Sequence, residues 1–495
     1  MTGPRSDATF LAGCAFVSLV GAAVSSRGAL PAAAVLVILM SAAVLCVSVL
    51  RPTATTKMII LLVVFGSHAL SVMHRLGLPA EQVRYLLGSR DVLAVLLLAA
   101  LLLRRGQADG SGAARTTAAV VLLPLIVVIC LNLVLGEPVS TFARLVSLRT
   151  FADPLLGLLA GLLLAQDPAL RERLLRFFVV VVAIAGGYAV VEAVLPVSFA
   201  ARTIGVSDYF TDVKQVGAFL GPDGLTANAF TSSGIRRLSG TFGDPLTAGY
   251  LLAVAAVGAV ALRRTRLVAI CSLLAVVSFT RAGWLLLIIA ALALTLTALS
   301  SAPAQQRQVV VARTAWAVVA TAIGFVLVSP VREYVLATAA GSDGSTLAHI
   351  EFLRLAAQYD YSLLGSGVGT AGAAVAGTDE GTLAGVAGTE STYVTLLRTI
   401  GVLGLLSYLL PWLVAVKELK HGEDVRRSMA AALLLGIAVT SAFSEQLLTF
   451  NTGWPLGLVA GLLSGRALAP SPGTQPQRNA DPHGEAGLRA PSLAA

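Results

Sequence analysis

The sequence predicts an all-α protein that crosses a membrane many times. Hydrophobic residues make up 56% of the 495 residues, charged residues only 12%, and the mean hydropathy is +0.84. One soluble core cannot hide so much apolar surface, whereas the hydrocarbon of a bilayer accepts it. The apolar residues fall into about fourteen segments, and a span needs about 20 residues. We expect every span to be a helix, because lipid offers no partner to an unpaired backbone group.

The segments form one transmembrane domain over residues 1–468, followed by a Pro/Gly/Ala-rich tail, 469–495, that is expected to be disordered in the cytoplasm. The first segment is interpreted as a retained helix and not as a removed signal peptide. The predicted spans are roughly 9–26, 30–50, 57–73, 91–103, 117–136, 151–165, 174–196, 245–262, 267–280, 282–300, 309–329, 394–416, 428–448 and 452–468.

The positive charges predict the orientation of the chain. With the N-terminus in the cytoplasm, nineteen Lys and Arg residues before the tail face inward and the short outer loops hold seven. This bias selects that orientation, and an even number of spans returns the C-terminus to the cytoplasm. Two long breaks, 197–244 and 330–393, are then external loops. The net charge of +9 follows from topology, and no nucleic-acid partner is expected.

Three arginines stand at the outer ends of predicted spans that are too short to cross about 30 Å of hydrocarbon. They are Arg90, Arg149 and Arg281. If the spans stop there, the guanidinium groups form a recessed cationic pocket whose guest is a diphosphate, since the planar fork binds phosphate oxygens through paired hydrogen bonds. Alternatively, the helices extend further and the side chains reach up to the headgroups.

The external breaks contain further candidates. Arg236 and Arg237 precede a span and either anchor the first loop or bind a ligand. The second loop has the apolar pattern of a surface helix near residues 347–356, then a Gly-rich stretch from Gly365. Glu390 falls at the start of the next span, where it either complements the helix dipole or acts as a general base.

Four motifs in chain order carry a resemblance to a known family. They resemble the O-antigen ligase and polymerase superfamily of bacterial envelope glycosyltransferases, over residues 230–410. The motifs are Arg237-Leu-Ser-Gly-Thr-Phe-Gly-Asp-Pro, Ser278-Phe-Thr-Arg-Ala-Gly-Trp, Ser362-Leu-Leu-Gly-Ser-Gly-Val-Gly and Glu390-Ser-Thr-Tyr-Val-Thr-Leu-Leu-Arg-Thr-Ile-Gly-Val-Leu-Gly.

The resemblance implies a multi-pass enzyme of the cytoplasmic membrane with the all-helical GT-C type of fold. Such an enzyme moves a glycan from an undecaprenyl diphosphate carrier to a glycan acceptor on the outer side. By motif, Arg237 and Arg281 would hold the diphosphate, and Arg354 is similar to a loop arginine of polymerase members. Ligases of the family typically have histidine at the position of Glu390, so the acidic residue favours a polymerase. Envelope polysaccharide assembly proteins are candidate partners.

The chemistry expected is an inverting displacement with Glu390 as base and arginines stabilising the departing diphosphate. The sequence offers no Asp-x-Asp pair at a loop edge and no ligand-spaced His/Asp/Glu cluster, so we expect neither a metal nor another cofactor. Three alternatives remain open: a ligase that uses a different acceptor, a transporter or flippase of lipid-linked sugars, and a sugar-binding protein without catalysis.

Overall fold

A computed structural model describes residues 51–108, 113–196, 203–213, 231–232, 235–301, 344–372, 391–419 and 424–465, together with the single residues 332, 333, 336 and 340. Apart from a two-residue antiparallel pairing of β1 (Thr231–Ser232) with β2 (Ile235–Arg236), the regular structure in these ranges is helical. The helices are α1 (Pro52–Arg75), α2 (Ala80–Ala108), α3 (Ala113–Leu135), α4 (Thr141–Leu164), α5 (Pro168–Val194), α6 (Pro245–Ala261), α7 (Thr265–Val277), α8 (Arg281–Ser301), α9 (Gly344–Ala356), α10 (Thr392–Glu418), α11 (Asp424–Ser441) and α12 (Phe450–Ser464).

Five helices in the described ranges, α1, α2, α4, α5 and α10, are long and apolar enough to cross a membrane. The helical fold is therefore confirmed at this coarse level, and it is compatible with a membrane protein. Eleven of the fourteen predicted spans coincide with helices. The other three, 9–26, 30–50 and 309–329, and the tail 469–495 lie outside the described residues.

Several predicted boundaries are wrong. The segments predicted at 91–103 and 151–165 begin about ten residues earlier, as α2 and α4, because the chain stays helical past its arginines. The segment predicted at 428–448 ends at Ser441. A connector over 442–449, with a 3₁₀ turn at Gln446–Leu448, replaces its last part.

The centre of the bundle is α12, all of whose residues are buried. It lies against α4 at closest contact, because both helices have glycines four residues apart. These are Gly157 and Gly161 on α4 and Gly457 and Gly461 on α12, and a Cβ at any of them would collide with backbone of the other helix. Small residues at this spacing let membrane helices approach closely.

One end of the bundle carries the described parts of both long breaks, and we call it the loop end. There α1, α3, α5, α7 and α11 finish and α2, α4, α6, α8, α10 and α12 begin. Part of the first break packs onto it: Tyr209 and Val213 are buried with Leu70 of α1 and Val83 of α2. The break predicted to be an external loop is thus, in its described part, a packed cap on the helix ends.

Polar contacts fasten this cap. Arg75 pairs with Asp208 at 3.3 Å, and His74 Nε2 lies 3.1 Å from Asp212 Oδ2. Arg84 donates to the carbonyl oxygens of Val213 and Asp212, at 3.0 and 2.5 Å. These outer basic residues therefore anchor a loop.

Candidate functional site

Arg90 is buried inside the bundle and does not reach up toward headgroups. Only 9% of the residue is exposed, its Nη1 donates to Asn451 Oδ1 at 2.5 Å, and its guanidinium lies 4.7 Å from the centroid of the Phe450 ring. Asn451 Nδ2 donates in turn to Ser67 Oγ at 3.2 Å. The sequence left two positions open for Arg90, and the structure gives it a buried one.

Arg149 meets a carboxylate that the sequence analysis did not consider. Its Nη1 lies 3.5 Å from Asp91 Oδ2, and Asp91 follows Arg90 on α2. Asp153, one turn after Arg149 on α4, is 1% exposed and accepts no hydrogen bond from the described residues. Electrostatic interactions join Asp153 to Asp91, Arg149 and Arg90. We call Arg90, Asp91, Arg149 and Asp153 the paired cluster, after the ion pair between Arg149 and Asp91.

The turn that carries Arg237 is fixed by a buried glutamate on α5. Glu192 accepts hydrogen bonds from the backbone N–H of Ser239 at 3.1 Å, the N–H of Gly240 at 2.8 Å and the Ser239 hydroxyl at 3.2 Å. Gly240 has φ +57°, and a Cβ there would lie 2.6 Å from the Ala185 carbonyl oxygen. The motif glycine therefore lets the chain lie directly on α5, and Glu192 holds Arg237 in place two residues away.

Arg237 itself is buried and points toward the segment of the second motif. Its Nη2 donates to Thr280 Oγ1 at 3.4 Å, and the Thr280 hydroxyl donates to the Pro245 carbonyl oxygen at 2.7 Å. Asp244 caps α6 by accepting from the Thr247 N–H at 2.7 Å. The first motif thus ends in a helix cap, and the second follows directly against it.

Arg281 is the first residue of α8 and comes directly after Thr280. The turn before it includes Phe279 at φ +49°, a left-handed conformation that is strained for a bulky residue and that clusters at functional sites. A Cβ on Gly283 would lie 2.7 Å from the Gly249 carbonyl oxygen. The Arg-Ala-Gly sequence therefore seats the start of α8 against α6. We call Arg237, Thr280 and Arg281 the motif turn.

The third and fourth motifs bind each other through backbone. Helix α10 is broken at Gly401, where φ is +68°. The N–H groups of Ser366 and Gly367 donate to the carbonyl oxygens of Arg398 and Thr399, at 2.7 and 3.0 Å. Such pairing is what a broken helix needs at membrane depth. These N–H groups are therefore already bonded to carbonyl oxygens of α10.

Other contacts hold the Gly-rich stretch on its far side. The Glu137 N–H donates to the Ser366 carbonyl oxygen at 2.8 Å, and a Cβ on Gly367 would lie 3.0 Å from Gly136 Cα. The Tyr361 hydroxyl donates to the Ala356 carbonyl oxygen at 2.6 Å, and burial raises the pKa of this tyrosine. The Gly-rich stretch of the second break thus packs between α10 and the segment that leads into α4.

Glu390 lies outside the described residues, and its predicted role as base stays a prediction. The next residue, Ser391, caps α10 by accepting from the Val394 N–H at 3.4 Å. The Ser391 hydroxyl donates to the Ser441 carbonyl oxygen, and the Thr392 hydroxyl to that of Ser444. The position after Glu390 is therefore joined to the connector between α11 and α12.

A second carboxylate, Glu445, stands on that connector. Its Oε1 accepts a hydrogen bond from the Thr395 hydroxyl, in the first turn of α10. A Cβ on Gly372, the last described residue of the Gly-rich stretch, would lie 3.3 Å from the same oxygen. Sequence reasoning missed Glu445 because the apolar residues around it made 428–448 look like one span. A break in that segment could have been suspected from the run Ser444-Glu-Gln446.

The two remaining predicted ligand residues, Arg354 and Arg236, have no described contact with the motif turn. Arg354 lies on α9 with its side chain 71% exposed, paired with Glu351 at 3.7 Å, so it stands on the surface of the loop. Helix α9 confirms the predicted surface helix, and its apolar residues Leu347 and Ile350 are exposed. Arg236 is in β2, where its backbone pairs with Thr231.

A series of hydrogen bonds links the four motif segments across the loop end. Arg237 donates to Thr280 and Thr280 to Pro245. The hydroxyls of Thr247 and Thr452 are 3.3 Å apart, and Thr452 Oγ1 donates to Gln446 Oε1 at 3.3 Å. The connector then meets α10 at Thr395, and α10 meets the Gly-rich stretch. All four motif segments therefore lie at one end of the bundle.

No known protein-family model matches the chain, and no curated protein is similar to it in sequence.

Proposed function

We propose that this chain is a polytopic membrane glycosyltransferase of the GT-C type that extends or transfers a glycan carried on undecaprenyl diphosphate at the outer face of the cytoplasmic membrane. The observation that carries the proposal is the gathering of all four family-like motif segments at the loop end. The first and fourth motifs begin 153 positions apart in the chain, at residues 237 and 390, and the hydrogen bonds that link the motif segments run from Arg237 to the Gly-rich stretch.

The motif turn has the chemistry that a diphosphate requires. Two guanidinium groups stand on neighbouring segments, and Arg281 opens α8, where the helix dipole favours an anion. Guanidinium forks bind phosphate oxygens through paired hydrogen bonds. Fixed positive groups in a poorly hydrated site stabilise charge as it develops on the leaving diphosphate. Three neighbouring residues hold the two arginines in place. Glu192 fixes the turn after Arg237, Asp244 caps α6, and Gly283 lets α8 pack against α6.

The paired cluster is less suited to the same task. None of its residues belongs to the four motifs, and Arg149 pairs with Asp91 while Arg90 donates to Asn451. We therefore assign the diphosphate to Arg237 and Arg281 and give Arg90 and Arg149 the role of bracing α2, α4 and α12 below it.

In the proposed reaction the acceptor hydroxyl attacks the anomeric carbon while a carboxylate takes its proton. The sequence predicts Glu390 for this role. Direct displacement inverts the anomeric configuration, and the departing diphosphate stays with the undecaprenyl chain. Base participation typically contributes about 10²- to 10⁴-fold to the rate.

The test uses purified chain and the lipid-linked glycan that accumulates in cells lacking it. We expect transfer with and without a metal chelator, and longer carrier-linked products if the chain is a polymerase. Transfer of a finished glycan to a different lipid would instead assign a ligase. No glycan transfer by folded protein, combined with movement of the intact lipid-linked glycan across vesicles, would replace the proposal with a flippase.

A further inference from the structure

Glu445 occupies the meeting point of three segments at the loop end. The Thr395 hydroxyl donates to its Oε1, and a Cβ on Gly372 would lie 3.3 Å from the same oxygen. The carboxylate thus stands between the end of the Gly-rich stretch, the first turn of α10 and the connector to α12. Its side chain is half-buried, in contrast to the fully buried Asp153.

Helix α10 positions the Glu445 carboxylate. Thr395 is in the first turn of α10, so the carboxylate lies near the positive end of the helix dipole. The Thr395 hydroxyl fixes the direction of one carboxylate oxygen. A base needs an ionised, oriented oxygen within reach of a substrate hydroxyl.

The connector also lies close to the motif turn. The Tyr250 hydroxyl lies near the side chain of Ser444, the neighbour of Glu445. Tyr250 is five residues after Pro245, whose carbonyl oxygen accepts from Thr280, and that is roughly 8 Å along a helix. Gly436 of α11 lies against Leu286 of α8 on the same side. The connector that carries Glu445 therefore lies beside α6 and α8, the two helices that hold the motif turn.

We propose that Glu445 is the general base of the transfer, in place of the Glu390 that the sequence predicts; this inference rests on the proposed function. Glu445 accepts the proton of the acceptor hydroxyl as that oxygen bonds to the anomeric carbon. The bond from this carbon to the diphosphate oxygen breaks, and its electron pair leaves with the undecaprenyl diphosphate. Thr395 is a positioning residue that orients the carboxylate.

The experiment compares Glu445→Gln, Glu390→Gln and wild type on the accumulated lipid-linked glycan. The amide of Glu445→Gln still accepts from Thr395, so the fold and the affinity for undecaprenyl diphosphate should stay as in wild type. We expect its turnover to fall about 10²- to 10⁴-fold. Glu172→Gln is the matched control, because Glu172 is exposed at the opposite end of the bundle, paired with Arg176.

Rescue separates a base from a structural glutamate. Formate added to Glu445→Ala should restore part of the turnover, because a small carboxylate can take the place of the missing group. Turnover of Glu445→Gln within about threefold of wild type would overturn the inference, as would a loss without formate rescue. If wild type transfers glycan and only Glu390→Gln fails, Glu445 is wrong and the proposed function stands. If wild type transfers nothing, the proposed function itself fails.

Discussion

The paired cluster and the motif turn both hold two arginines near the loop end, yet their partners differ. In the paired cluster, Arg149 meets Asp91 and Arg90 meets the Asn451 amide, on three helices of the bundle interior. In the motif turn, Arg237 meets the Thr280 hydroxyl in a strained turn that places Arg281 at a helix N-terminus. The first pair of arginines joins helices within the bundle, whereas Arg281 stands at a helix start, where the helix dipole favours a phosphate ligand.

The largest expected effect is on the motif turn. Arg281→Ala and Arg237→Ala should each lower glycan transfer by at least about 100-fold, because removing one fixed donor to a developing anion typically costs that much. Initial rates on the accumulated lipid-linked glycan measure this. Arg176→Ala, at the opposite end of the bundle, is the control and should be unaffected. Near-normal rates in both variants would remove the distinction between the two regions.

Gly283→Ala should have the next largest effect. A Cβ there meets the Gly249 carbonyl oxygen at 2.7 Å, so the start of α8 must move and take Arg281 with it. We expect a loss of about 2–3 kcal/mol in unfolding free energy, as for overpacked sites, together with lower transfer. Gly187→Ala is the matched control, because open space surrounds that helical position. Equal thermal midpoints for the two variants would contradict the close contact.

In the paired cluster, Asp91→Asn should lower stability and leave donor binding intact. A fully buried pair typically costs about 3–5 kcal/mol to break, and we expect about 1–2 kcal/mol here because the Arg149 side chain is 38% exposed. The double variant with Arg149→Gln should recover part of that loss in thermal unfolding. Loss of donor affinity in Arg149→Gln at unchanged stability would make Arg149 a ligand, as the sequence alone suggested.

Arg354→Ala should have the smallest effect. Both side chains of its ion pair with Glu351 are exposed, and such pairs contribute about 0–1 kcal/mol to the free energy of unfolding. Thermal unfolding should therefore be unchanged within error, and the transfer rate should change less than in Arg237→Ala. A rate as low as that of Arg237→Ala would show that the surface helix closes onto the motif turn during turnover.

Much of the helical pattern could be predicted from the sequence, because apolar length alone requires helices in lipid. The errors in the helix boundaries at Arg90 and Arg149 arose because a charged residue was taken as the end of a span. Ending the spans at Arg90 and Arg149 placed the helix starts about ten residues too late. Asp91 and Asp153 lay inside the predicted spans and were not considered as partners, although Asp153 follows Arg149 by four residues and so shares its helix face. Interior polar partners from other helices, such as Asn451, have no sequence signal of their own.

The candidate site was predictable in its cationic part and not in its acidic part. Motif order located Arg237 and Arg281, which the structure brings together through Thr280. Glu445 lies in a stretch whose apolar neighbours continue on both sides, so hydropathy does not distinguish a connector from a span. The Gly-rich stretch was identified, but its partner, the break at Gly401, appears only once α10 is folded.

Equilibrium binding of undecaprenyl diphosphate to purified protein tests the central claim most directly. Wild type should bind it, Arg237→Ala and Arg281→Ala should each bind at least about tenfold more weakly, a loss of about 1.4 kcal/mol or more, and Arg176→Ala should match wild type. Equal affinity in all four proteins would contradict a diphosphate site at the motif turn.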